Sequence, residues 1–373
     1  MNDITISLEQ VRSMVFGFAV GDALGVPVEF KKRRFLDQNP VTGMLAGGIW
    51  NQPIGTWSDD TSMVLAEMES IARLKAVDYD DIMKNFIRWA DHAEFTATDV
   101  TFDIGNATAK ALRRYKAGVP AEKCGGTGDR DNGNGSLMRI LPFCPVCMFS
   151  LPYGEVVRQV DSWWYETSVS YLDIPSALTH AHLRSIIACE IYGLIALSLI
   201  LDEQGKDLHS YIEDTIEFIF STFFPDDAGL DEFEEILKSL RNYEPKEDKE
   251  AIAARKEAHE ARKFYGRLMS FRRDNLPPRE EIKSSGYVVD TLEAAIWCLL
   301  STDNYRDAVL EAVNLGGDTD TVAAITGGLA GLAYGMEDIP EEWLSVLKKR
   351  EYIEELCLAY TKAFEGEDGV YFK

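Results

Sequence analysis

Cysteine is scarce in this chain and positive charge is in deficit. Six cysteines in 373 residues, at 124, 144, 147, 189, 298 and 357, are too few for a disulfide scaffold. Cys144 and Cys147 form a Cys-x-x-Cys pair, but no second pair stands at zinc spacing. Buried, reduced thiols are the expectation. Lys plus Arg number 38 against 62 Asp plus Glu, a formal net charge of -24. That balance excludes tight, nonspecific binding to nucleic acid or to an anionic membrane, since both need cationic surface. The longest apolar run, about Ile186 to Leu201, is interrupted by Glu190 and reads as too short to span a bilayer. The first residues, MNDITISLEQ, lack the basic-then-apolar pattern of a secretory leader, so a cytoplasmic location is expected. Alternating strand patterns, repeat arrays and low-complexity linkers are also lacking.

What is present is helical periodicity. Val64, Met68, Ile71 and Leu74 form one apolar stripe after Trp57. Ile82, Phe86 and Trp89 form a second, and Ala107, Ala111 and Tyr115 a third. Ser176 to Leu201 reads as one long helix, apolar nearly all round and therefore central. Residues 289–301, 305–315 and 319–334 predict three more helices. The fold class is therefore all-α, with residues 1–373 as a single compact domain. Glycine and proline punctuate loops at Pro40–Gly55 and Cys124–Gly135. From Pro225 to about Ser285 charged residues replace aliphatics, and Lys246–Arg262 alternates in charge like a solvated helix. Residues 225–285 are expected to form a charged helical insertion, either a surface decoration or a lid.

Two short segments concentrate carboxylates directly before apolar helical runs: Trp57-Ser58-Asp59-Asp60-Thr61 and Gly316-Gly317-Asp318-Thr319-Asp320-Thr321. One such segment is explained by helix capping and the helix dipole. Two of them, if they converged, would repel unless cations neutralised them. Oxygen ligands of this kind suit Mg2+, Mn2+ or Ca2+ rather than zinc, and Asp-Asp with Asp-x-Asp suits a binuclear site. Such ions would also offset an acidic chain's repulsion of an anionic substrate. Gly21-Asp22-Ala23-Leu24-Gly25-Val26-Pro27-Val28-Glu29-Phe30 places Glu29 in a loop after an apolar helix. Gly133-Asn134-Gly135-Ser136-Leu137-Met138-Arg139 has the pattern of an anion cradle, although a plain loop is the better reading of that segment alone.

GDALGVPVEF, GTWSDDTSM, DIGNATAKAL, GNGSLMRILP, LTHAH and NLGGDTDTVAAITGGLAG occur in this order across residues 21–332. Together they resemble the ADP-ribosylglycohydrolase family, over most of the chain except the charged stretch and the C-terminal tail. The resemblance implies a compact all-α fold holding two Mg2+ or Mn2+ ions at the base of a cleft. It implies Ser58, Asp59, Asp60, Asp318, Asp320 and Thr321 as metal ligands, Ser58 standing where Thr is common among relatives. Glu29 and Asp103 are implied as catalytic carboxylates beside Asp59 and Asp60, with the group that activates water left open among the four. Asn106, Gly133, Asn134, Gly135, Ser136 and His180 are implied as residues of the ADP-ribose cleft. The implied activity is hydrolysis of the bond between ADP-ribose and an acceptor, either a modified protein or a small ADP-ribosyl conjugate. Similarity to the nitrogenase-associated branch favours arginine. An ADP-ribosylating toxin or enzyme is a further partner. Three alternatives stay open: a two-metal nucleotide phosphohydrolase, a non-catalytic ADP-ribose-binding protein, and an immunity protein that neutralises a toxin.

Overall fold

The computed structural model describes residues 6–150, 170–201, 207–222, 224, 226, 249–365 and 370–372. The helices in chain order begin with α1 Leu8–Gly25, α2 Arg33–Leu36, α3 Asp59–Leu74, α4 Tyr79–His92, α5 Asn106–Lys116 and α6 Cys144–Ser150. There follow α7 Ser170–Ala177, α8 Leu183–Ile200, α9 Leu208–Thr222, α10 Lys249–Tyr265 and α11 Val288–Ser301. The last four are α12 Tyr305–Asn314, α13 Thr319–Tyr334, α14 Glu341–Leu344 and α15 Arg350–Ala363. Among the described residues strand is confined to β1 (Ala76–Val77) paired in parallel with β2 (Tyr371–Phe372). The all-α expectation holds.

The centre of the fold is the antiparallel crossing of α1 and α13, and glycine makes it possible. Ser7 starts α1 with a capping box: its Oγ accepts from Gln10 N–H while Gln10 Oε1 accepts from Ser7 N–H. Gly17, Gly21 and Gly25 then recur every fourth residue and so share one helix face. A Cβ on Gly21 would sit 2.1 Å from the Ala323 carbonyl oxygen, and one on Gly25 would sit 2.3 Å from the Asp320 Cα. Backbone meets backbone along this stripe, which brings the end of α1 against the start of α13. Around the pair pack α3, α8, α11, α12 and α15.

Three predicted helices appear almost as read, at 288–301, 305–314 and 319–334. The single helix expected over 176–201 is instead two. The chain breaks after Ala177 because Gly126 captures Ala181 N–H through its carbonyl (3.0 Å). His182 then caps α8, its Nδ1 accepting from Arg184 N–H at 3.2 Å. Both α1 with its following turn (Leu8–Val28) and α8 have the length and apolar composition to cross a bilayer. In this fold, however, 94% and 78% of those windows are buried. They serve as core helices.

All six cysteines are buried and free, and burial pushes the Cys147 thiol up to about 12. Of the charged segment, residues 227–248 lie outside the described residues. Its later part buries Ala258, Ala261 and Tyr265, and α10 packs on α8 and α11. Tyr265 donates to the Arg184 carbonyl at 2.6 Å.

Candidate active site

The two carboxylate-rich segments meet. Ser58 is the N-cap of α3, its Oγ accepting from Asp60 N–H at 3.2 Å, so Asp59 and Asp60 open the helix at its positive end. Asp318 occupies the N-cap position of α13, with Asp320 and Thr321 in its first turn. Thr321 Oγ1 lies 3.4 Å from Asp60 Oδ1, joining the two helix starts. Carboxylate oxygens of Asp22, Asp60 and Asp320 all lie within 4.8 Å of one another, and so do those of Glu29, Asp103 and Asp320. Asp320 belongs to both sets.

Asp22 sits inside the apolar helix α1, where its sequence context signals no role. Its carboxylate accepts from Ser58 N–H (2.9 Å), Thr61 N–H (3.1 Å) and Thr61 Oγ1 (2.6 Å). Three of these four contacts, counting the second Ser58 approach at 3.0 Å, fall on Oδ2. Asp22 thus spends its lone pairs on the turn that presents Asp59 and Asp60. It is a positioning residue.

Glu29 and Asp103 come from loops. Glu29 is buried while the next residue, Phe30, has φ 62° and turns its ring outward. Phe30 N–H donates to Gly317 O (2.7 Å), Gly317 N–H returns a bond to Lys31 O (2.8 Å), and Asp318 N–H donates to Ser284 O (2.9 Å). Gly317 has φ 78°, and a Cβ there would stand 2.1 Å from the Ser284 carbonyl oxygen, so only glycine closes this three-way junction. Arg33 locks the same loop by donating to the carbonyls of Leu315, Arg279 and Ile282. Trp50 Nε1–H donates to Glu29 Oε2 at 2.5 Å. Asp103 reaches the site from a residue with φ 58°. Ser284 and Gly286 are site-building residues the sequence reading missed. They sit at the end of the charged segment, and the small-residue run Ser284-Ser285-Gly286 before an apolar helix was the available signal.

The electrostatics follow from crowding. Burial, then the Asp103 charge, pushes the Glu29 carboxyl up to about 8. Burial, then the Asp318 charge, raises Asp103 to about 6, opposed by a hydrogen bond from Glu29. The two carboxyls therefore compete for one proton, and both are held up by the crowding. Asp59, Asp60 and Asp320 are raised well above the carboxylate range, in each case by burial first and by neighbouring carboxylates second. Among the described residues no Lys, Arg or His forms an ion pair with any of them. Asp60 Oδ2 is buried with no hydrogen-bond partner. A hard oxygen-binding cation fits these observations: it would occupy the orphaned lone pair and replace the protons.

A stability prediction follows. Groups whose folded pKa is raised bind protons more tightly in the folded chain, so their penalty is absent at low pH and grows through roughly pH 4 to 8. In EDTA the protein should therefore lose roughly 2–5 kcal/mol over that range, with Mg2+ or Mn2+ restoring it at pH 8. A melting temperature in EDTA that stays level from pH 5 to pH 8 contradicts this reading.

The cradle residues form the opposite wall. Asn134 N–H donates to Gly286 O (3.1 Å), and Asn134 Nδ2 donates to Asp318 Oδ2 (2.8 Å) and Thr291 Oγ1 (3.1 Å). Gly133 pairs with Tyr287, and Gly133 and Gly135 lie against the His180 imidazole. His180 is buried and its pKa is lowered to about 3, by burial and then by the Arg139 charge. Arg139, paired with the buried Glu67, donates to Thr179 Oγ1 (2.8 Å). The Thr179 hydroxyl also lies 2.9 Å from His180 Nδ1. Asn106 is the exposed first residue of α5. Ser136 is fully buried, and its hydroxyl meets Ser176 Oγ (2.9 Å) and Cys189 Sγ (3.6 Å). The structure turns the Ser136 side chain into the core behind the cradle.

The family model for ADP-ribosylglycohydrolase matches residues 4–369. The chain belongs to the ADP-ribosylglycohydrolase family. This glycohydrolase is 31% identical to the ADP-ribosylarginine hydrolase Tri1 of Serratia proteamaculans (strain 568), over 94% of the chain and 78% of that relative. It is 28% identical to the ADP-ribosyl-[dinitrogen reductase] glycohydrolase of Rhodospirillum rubrum, over 89% of the chain and 87% of the relative. A solved structure described as an ADP-ribosylglycohydrolase-related protein complex superposes on the glycohydrolase with a TM-score of 0.66 at 25% identity. That match covers 95% of this chain and 98% of the other. The family model spans both helix starts and all the loops that build the cleft.

Proposed function

We propose that the cleft hydrolyses the N-glycosidic bond between C1 of the ribose in ADP-ribose and a guanidinium nitrogen of arginine, with two Mg2+ or Mn2+ ions. The unpartnered Asp60 Oδ2, buried among carboxylates that no Lys, Arg or His of the described residues pairs with, carries the metal reading, and the Asp-Asp and Asp-x-Asp pairs at the two helix starts support two ions. Asp60, Asp318 and Asp320, with Asp59 and the hydroxyls of Ser58 and Thr321, would hold them. Bound there, the ions would stabilise developing negative charge and make a water more acidic. The arginine assignment is supported by the likeness to relatives named ADP-ribosylarginine hydrolase.

The chain's own residues do the rest. Asn134, tied to Asp318 and Gly286, holds the cradle wall at hydrogen-bond reach of the site. Neutral His180 packs against Gly133 and Gly135 and backs the cradle that would receive the substrate. Trp50 fixes one oxygen of Glu29, leaving the other for the proton shared with Asp103. As C1 takes on oxocarbenium character, this pair accepts the proton of the attacking water and returns it to the departing nitrogen. Hydroxide ends on C1 and the proton on guanidine, so charge and atoms balance.

Purified protein incubated with ADP-ribosyl-arginine should release free ADP-ribose with Mg2+ or Mn2+. EDTA should slow release at least about 100-fold, the scale expected of a lost metal centre. An absence of release under every metal condition, while the protein still binds ADP-ribose, would overturn the arginine assignment.

A further inference from the structure

The outward side of the cleft carries apolar surface that the chemistry at C1 does not use. Among the described residues eight large hydrophobic side chains are exposed. Six of them, Phe30, Phe35, Leu45, Ile49, Ile54 and Val100, come from the stretch 30–100. The loops that bear Phe30, Ile49 and Val100 are fastened together beside Glu29. Trp50 Nε1–H donates to Glu29 Oε2 at 2.5 Å. The Trp50 ring lies 5.7 Å from that of Phe102, Thr98 Oγ1 donates to Gln52 Oε1 at 3.3 Å, and Gly47 pairs with Gln52. Ile49 (62% exposed) is therefore one residue from Trp50, and Val100 (53% exposed) two from Phe102. Phe30 directly follows Glu29. Single exposed apolar residues are ordinary, but a group around one cleft marks a protein contact.

The same rim carries cationic charge in a chain whose formal net charge is -24. Lys31, Lys32 and Arg34 are exposed, with Lys31 over the Phe35 ring. Arg33, the fourth member of that run, is tied to backbone carbonyls and is not available to a partner.

We infer that this rim docks the folded acceptor protein, at the surface that flanks its ADP-ribosylated side chain. Apolar residues of the acceptor lie opposite Ile49, Val100 and Phe30, and carboxylates lie opposite Lys32 and Arg34. The inference rests on the glycohydrolase reading of the cleft above. A modified side chain reaches Glu29 and Asp103 only if its parent surface settles on these loops, whereas a small conjugate would leave them in water. The rim selects folded protein substrates over small ones.

The test uses soluble bacterial protein modified by an arginine-specific ADP-ribosyltransferase, either intact or digested to peptides after modification, with free ADP-ribosyl-arginine as the third substrate. Release is followed site by site by mass spectrometry. At sites flanked by apolar surface, wild-type kcat/KM should be at least about tenfold higher in intact protein than in the corresponding peptide, the size of effect that lost interface anchors produce. The double variant Ile49→Ser/Val100→Ser should abolish that preference while free ADP-ribosyl-arginine is turned over at the wild-type rate. Equal wild-type rates on intact and digested protein, or a preference that survives in the variant, would overturn the inference. So would a dimer in light scattering that the variant dissolves while the preference persists, since the rim would then be a contact between copies of this chain. Failure of both proteins to act on free ADP-ribosyl-arginine would sink the arginine reading of the site itself, and the inference with it.

Discussion

Asp320→Asn should lower turnover of ADP-ribosyl-arginine by at least about 10³-fold, equivalent to some 4 kcal/mol of transition-state stabilisation. Asp320 is buried at the first turn of α13 and is the one carboxylate common to both convergent sets. Asparagine keeps its size but loses the negative charge, so it would hold a divalent cation far more weakly. The same substitution should stabilise the protein in EDTA at pH 8. Burial and then the charges of Glu29, Asp318 and Asp60 push the Asp320 carboxyl well up, so ionising it costs the folded state free energy that grows as pH rises above the unfolded value. The variant is spared that cost. Its melting temperature in EDTA should exceed that of the wild type at pH 8, match it near pH 4, and gain little from Mg2+. A variant that is inactive and also less stable in EDTA at pH 8 would point to a misfolded site and not to a lost ligand.

Gly25→Val should damage both stability and chemistry. The first side-chain atom would fall 2.3 Å from the Asp320 Cα and 2.4 Å from its backbone nitrogen, and neither can move aside alone. The α1–α13 crossing has to open. Overpacking of this kind costs about 2–3 kcal/mol, or roughly 5 °C in melting temperature for a chain of this size. Because Asp22 and Asp320 are carried on the two helices being separated, a displacement near 1 Å should reduce kcat by about 100-fold. Gly266→Ala is the control, since an added Cβ there meets nothing within 4 Å. Activity lost in Gly25→Val with no change in melting temperature would show that the glycine acts locally and not through the crossing.

Much of this site was legible because its residues break the surrounding pattern. Asp59, Asp60, Asp318 and Asp320 stand as hydrophilic clusters directly before apolar stripes, where helix starts are expected. Glu29 follows a Gly-Pro turn that ends an apolar helix. Asp22 was not legible, because a carboxylate within α1 shows its purpose only when Ser58 and Thr61 arrive from 36 and 39 residues away. Ser284 and Gly286 were hidden at the end of a stretch whose composition reads as solvated. The break between α7 and α8 was hidden for the opposite reason. The segment 176–182 contains no glycine or proline to mark a stop, and only the backbone bond from Ala181 N–H to Gly126 O decides where the helix ends. Ser136 shows the limit of motif reading: it lies in the cradle's sequence, but its hydroxyl serves Ser176 and Cys189 in the core. Local pattern identifies polar groups at helix ends; which of them share a space depends on long-range contacts.

The most direct test of a metal-supported cleavage at C1 is to run the reaction in H₂¹⁸O and identify every product by mass spectrometry. Attack at C1 predicts ADP-ribose carrying one ¹⁸O on the ribose, unlabelled arginine in equal amount, and no AMP or inorganic phosphate, all dependent on Mg2+ or Mn2+. Label appearing on a phosphate, with AMP and phosphoribosyl-arginine as products, would contradict the account and make the acidic cleft a phosphohydrolase site.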